Sequence, residues 1–108
     1  LVWIGDMHPE TIGILRLFGY DESICRSLDY IKNITSPDQW MNDIPSYSMW
    51  WIIIHKDLFE YSGDLEYLRA QLEYMRVLVH VLGNYVREDG SDTIPFKFML
   101  HRHAAFIR

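Results

Sequence analysis

The sequence predicts an all-α chain of two helical hairpins, and three observations carry that reading. Apolar residues recur every third or fourth position through most of the chain. Proline, glycine and aspartate punctuate it between those runs. The helices so delimited alternate in type, from buried to surface. The length, 108 residues, allows one domain.

The first helix is predicted from Pro9, because proline suits a first helical position where its missing N–H costs nothing. Ile12, Leu15 and Phe18 then repeat at helical spacing, and Gly19 can close the helix in a left-handed cap. Asp21 is an N-cap for a second helix with Ile24, Leu28 and Ile31 on one face and Arg26, Asp29 and Lys32 on its back. Thr35-Ser36-Pro37-Asp38 stops it. Ser46 can cap a third helix carrying Tyr47, Trp50, Ile54, Leu58 and Tyr61, and Gly63-Asp64 punctuates again. A fourth helix runs from about Leu65 to Tyr85, striped by Leu65, Leu68, Leu72, Met75, Val79, Leu82 and Val86 and backed by Glu66, Arg69, Glu73 and Arg76. Glu88 to Asp92 reads as a turn and Thr93 to Leu100 as a short strand-like segment.

The third helix is apolar nearly all round between Trp50 and Ile54, as a helix buried on both sides would be. Helices two and four have charged backs. Two-layer hairpins follow, with helices one and three inside and two and four outside. Trp3-x-x-Asp6 and Trp40-x-x-Asp43 stand 37 residues apart, each ahead of an inner helix, and can be read as a repeat or as coincidence.

Composition removes several function classes. Net charge is −5, which argues against a nucleic-acid backbone as ligand. The longest apolar run, Met49 to Ile54, is far short of the about 20 residues needed to cross a membrane. One cysteine, Cys25, excludes a disulfide framework, and it reads as a packing residue. His8, His55, His80, His101 and His103 show no metal-ligand spacing, with His55 reading as a core histidine. No nucleophile motif, phosphate loop or dinucleotide fingerprint is present, and no cofactor is expected.

In a set of stacked hairpins the loops leading into the inner helices open on one end. An indole there offers an apolar platform to a sugar ring, and a carboxylate accepts from paired hydroxyls. Trp3 with Asp6, and Trp40 with Asp43, would suit a carbohydrate. They would equally serve as helix caps and staples. Tyr47, Trp50 and Trp51 read as core, with a binding role left open by their place near the start of an inner helix.

Leu1-Val2-Trp3-Ile4-Gly5-Asp6, followed by a helix, resembles part of the active-site motif of bacterial α-L-rhamnosidases of glycoside hydrolase family 78. The stretch Pro37 to Gly63 resembles the following hairpins of that family's (α/α)6 barrel, and the resemblance covers roughly residues 1–98. It implies a partial barrel domain over 1–98 and an inverting enzyme acting on terminal rhamnosyl linkages, with an acid and a base on opposite faces of the sugar. It implies sugar contacts for Trp3 and Asp6 and places Asp43 on another pocket loop, although Trp40 and Met41 depart from the family's pattern. The family's general acid would lie just upstream of Leu1 and its base on a later hairpin. This segment is therefore expected to bind a rhamnoside but to be inactive alone.

The start at Leu1 also suggests a segment of a longer protein. Residues 99–108 depart from the family, and the last eight hold two arginines and two histidines but no acid. That tail suggests a truncation or a shifted reading frame, or else a local insertion. Expected partners are a carbohydrate, the remainder of a parent barrel, or other copies meeting through exposed apolar helices, with neither nucleic acid nor membrane. The rival reading is a helical-repeat interaction module without catalysis, and a plain four-helix bundle is a third.

Overall fold

A computed structural model describes residues 2–85 of the chain. The expected segment from Thr93 to Leu100 and the tail 99–108 lie outside the described residues. Within them the chain is all-helical: α1 (Ile4–Phe18), α2 (Glu22–Ile34), a single 3-10 turn (Met41–Asp43), α3 (Pro45–Ser62) and α4 (Leu65–Gly83).

The start of α1 corrects the sequence reading. The helix begins at Ile4, so Pro9 stands inside it rather than at its first position. Two forces extend it upstream. Ile4 and Met7 are buried, and the Ile4 N–H, which no residue of its own helix can satisfy, donates to Asn42 Oδ1 at 3.1 Å. The helix ends at Gly19 with a positive φ of 80°, but its ψ of −162° lies outside the left-handed helical region expected there.

Asp21 caps α2 by accepting from Ser23 N–H at 2.8 Å, which holds its carboxyl below the usual range. Ile24, Leu28 and Ile31 are the buried residues of α2. Pro45, not Ser46, opens α3, with Ile44 as the N-cap residue, and Gly63 ends it in the left-handed conformation. The buried face of α3 is Ser48, Trp51, Ile54, His55 and Leu58. Trp50 is half-buried, and Tyr61 and Ile53 are exposed. Asp64 caps α4, accepting from Tyr67 N–H at 3.0 Å.

Contacts along the helices define two layers. Gly5 lies against Tyr47, His8 against Trp50, and Gly19 near Tyr61, so α1 and α3 run parallel. Tyr67 bonds Cys25 O and Asp29, Lys32 bonds Gln71, and Tyr74 bonds Thr35 O, so α2 and α4 also run parallel. Trp51, fully buried, joins the layers through its indole N–H to Leu28 O at 3.2 Å. Each fully buried core side chain such as Leu28 or Ile54 contributes on the order of 2 kcal/mol. Gly5 permits the close α1–α3 approach, since a Cβ there would overlap the Tyr47 ring.

The hairpins repeat, but not at the spacing of the Trp-x-x-Asp echo. Ile4 to Pro45, Glu22 to Leu65 and Phe18 to Ser62 are 41, 43 and 44 residues apart. Trp3 adjoins α1, whereas Trp40 precedes the 3-10 turn and is only 7 % exposed.

Candidate functional site

The loops leading into α1 and α3 meet at one end of the molecule, and Asn42 joins them. Its Oδ1 accepts from Ile4 N–H, and its Nδ2 donates to Val2 O at 2.8 Å. These are the two residues flanking Trp3. The turn that presents Asn42 is unusual, because Asn42 and Asp43 both have positive φ, 54° and 59°. Neither is glycine, and such a backbone persists only where its surroundings over-determine it. Here the turn is held by Asp43 N–H to Trp40 O at 3.0 Å, Ile44 N–H to Met41 O at 3.1 Å, and Met41 N–H to the buried Ser48 hydroxyl at 3.0 Å.

Trp3 is the N-cap residue of α1 and half-buried. Asp6 lies in the first turn of α1, exposed, where the helix dipole favours a negative charge. Asp43 is exposed beside Asn42. Trp3 and Asp43 are thus brought to the same end by the Asn42 bridge, with Asp6 one turn along α1. Trp40 does not join them as a sugar platform: it is buried and packs on Tyr85, ring centroids 5.5 Å apart. Asn42 escaped sequence reasoning. Its one signal was an asparagine, a residue tolerant of the left-handed region, just ahead of Asp43.

A second polar cluster lies along the α1–α3 seam. His8 Nε2–H donates to Asp57 Oδ2 at 2.9 Å, and its ring rests on Trp50 at 4.6 Å between centroids. Beside it an open cleft of about 350 Å³ is lined by Ile12, Leu15, Arg16, Asp57, Glu60 and Tyr61. Because α1 and α3 are parallel, this cleft lies toward their C-termini, away from the Trp3–Asp43 end. No serine, threonine or cysteine lines it.

The polar groups between the layers are structural. Tyr67 hydroxyl donates to Asp29 Oδ1 at 2.9 Å, and burial together with that carboxylate pushes its ionisation far up. Burial raises Tyr74 to about 12. Asp29 and Lys32, expected on a solvated back, instead face α4. Cys25 packs against the core with its sulfur 3.0 Å from the Tyr20 hydroxyl, a contact that lifts Tyr20 to about 12. His55 is a core residue, as expected, but its Nε2 has no hydrogen-bond partner.

Among the described residues no group of three or more His, Cys, Asp or Glu could hold a metal ion, and no helix is long and apolar enough to cross a membrane. No family model, no curated protein and no solved structure matches the chain.

Proposed function

We propose that the chain is a two-hairpin segment of a helical-hairpin glycosidase, similar to the inverting α-L-rhamnosidases, and that Trp3, Asp6 and Asp43 bind the sugar. One observation carries the reading: the segments leading into the parallel helices α1 and α3 are tied together at one end by Asn42. That tie sets Trp3, whose two neighbours it bonds, beside the turn that carries the exposed Asp43, and the exposed Asp6 follows in the first turn of α1. An indole face suits the C–H side of a deoxy sugar, and carboxylates accept from neighbouring hydroxyls. Inverting hydrolysis also needs an acid and a base flanking the glycosidic oxygen. The resemblance draws both from outside this segment, so its role is binding.

The test is a nuclear magnetic resonance titration of the chain with methyl α-L-rhamnoside, with methyl β-D-glucoside as control. The expected result is a saturable, rhamnoside-selective shift of the Trp3 indole N–H. Trp3→Ala or Asp6→Asn should then weaken binding about tenfold or more with helical content unchanged. No shift at the Trp3 end, or equal shifts with both sugars, would overturn the reading.

The helical-repeat interaction module remains the second reading, favoured by the stacking of parallel hairpins with an exposed apolar row on α4. It predicts that ligands meet helix faces and that Trp3 and Asp6 are dispensable.

A further inference from the structure

The outer face of α4 has the form of half a coiled-coil seam. Leu65, Leu68, Leu72, Met75, Val79 and Leu82 alternate at spacings of three and four. One row of the seam is used within the chain: Met75 and Leu82 pack against the core. The other row, Leu65, Leu72 and Val79, is 46 %, 51 % and 54 % exposed. At 100° per residue it lies about 150° round α4 from the Tyr67 and Tyr74 side that meets α2.

The charges beside that row identify what fits it. Glu66, Arg69, Glu73 and Arg76 are all exposed and alternate in sign at spacings of three, four and three. Reversed, this pattern is its own complement. An antiparallel second α4 that brings the partner's Glu73 level with Arg69 also brings the partner's Glu66 level with Arg76, and twofold symmetry repeats both pairs. In the same register Leu72 and the partner's Leu72 are offset by two residues, about 3 Å, so they interdigitate. Leu65 comes beside the partner's Val79. A parallel pair offers no such match, because parallel helices set opposite flanks together, and the other flank of this row carries Met75 and Leu82, which pack against the core.

We propose that the chain forms an antiparallel homodimer through α4, with Leu65, Leu72 and Val79 as its apolar seam. The pairs Arg69 with the partner's Glu73 and Arg76 with the partner's Glu66 set its register. Arg76 already bonds Glu73 within its own helix at 2.7 Å, and its guanidinium fork can serve both carboxylates. Exposed pairs of this kind add little affinity; they select orientation, while the apolar row supplies the attraction. The proposal is independent of any sugar site.

The test is sedimentation equilibrium of the whole chain across a concentration series. The expected result is a reversible monomer–dimer equilibrium that Leu72→Glu shifts to monomer, at unchanged helical content, because Leu72 is half exposed. Two charge variants probe the register. R69E/R76E makes the flank all acidic and E66R/E73R makes it all basic. Each alone should dimerise about tenfold or more weakly, and mixing them should restore a heterodimer. A wild-type chain that stays monomeric throughout would overturn the proposal. So would a dimer indifferent to Leu72→Glu, or charge variants that show no preference for each other.

Discussion

His55 should make this fold lose stability in acid well before its carboxylates do. The side chain is 1 % exposed, set edge-on to Trp51 at 4.2 Å between centroids and beside Tyr67 at 5.6 Å, with its Nε2 unsatisfied. Burial, helped by the nearby Lys32 charge, lowers its pKa from 6.5 to about 3. Folded, it stays neutral; unfolded, it takes up a proton as pH falls through 6.5. The unfolded state therefore binds the extra proton, and stability declines from about pH 6.5 down to about 3. At pH 4.5 the loss is about 3 kcal/mol, a large share of the stability of a small domain. His55→Phe removes the titration, keeps the edge-on contact with Trp51 and deletes an orphaned polar atom. At pH 7 it should be neutral or stabilising by about 1 kcal/mol. The depressed carboxyls of Asp21 and Glu73 begin to lose their stabilising effect as pH falls through their ordinary values of 3.8 and 4.5, and equally in both proteins. The assay is urea unfolding followed by circular dichroism from pH 7.5 to 4.5. Parallel stability curves for the wild type and His55→Phe would refute the reasoning.

Two glycines of α1 should respond oppositely to alanine. Gly5→Ala drives a Cβ into the Tyr47 ring and should destabilise by about 1–2 kcal/mol after the helix-propensity gain. Gly13→Ala meets open space and should stabilise by about 1 kcal/mol in thermal unfolding. At the loop bridge, Asn42→Ala removes both side-chain bonds and forces alanine to positive φ, costing about 2–3 kcal/mol. Asn42→Gly relieves the backbone but not the lost bonds, so it should cost less, and both variants should speed hydrogen exchange at the Ile4 amide.

The elements legible in the sequence were those fixed by local chemistry. Asp21 and Gly63 mark helix ends through bonds to neighbours a few residues away, and Ile24, Leu28 and Ile31 face the core at the spacing that announced them. Where a distant residue decides, local reading misplaced the element. Pro9 invited a helix start that the Asn42 bond to Ile4, across 38 residues, moves upstream. The fourth helix was misread by rotation. Its deepest residues are Gln71 and Leu78, because Tyr67 and Tyr74 carry hydroxyls that reach α2 and Gln71 meets Lys32. None of those polar groups belonged to the apolar stripe read from the sequence, and that stripe includes Leu65 and Leu72, left half exposed. Trp3 and Asp43 were legible as residues ahead of the two helices, whereas Asp6, expected in a loop, lies in the first turn of α1, and the Asn42 tie between the two loops was not legible.

The Trp-x-x-Asp echo failed for a related reason. A stacked hairpin repeat shows in sequence through the residues that cap its helices, and the matching caps here are Gly19 with Gly63 and Asp21 with Asp64. Both glycines take positive φ, and both aspartates accept from an N–H in the first turn that follows. Trp3 and Trp40 have different surroundings, one beside a helix start and one buried ahead of a left-handed turn. The extra residues between Trp40 and α3 form that turn, and the turn presents Asn42 to α1. The segment that breaks the echo is therefore the one that draws the two loops together.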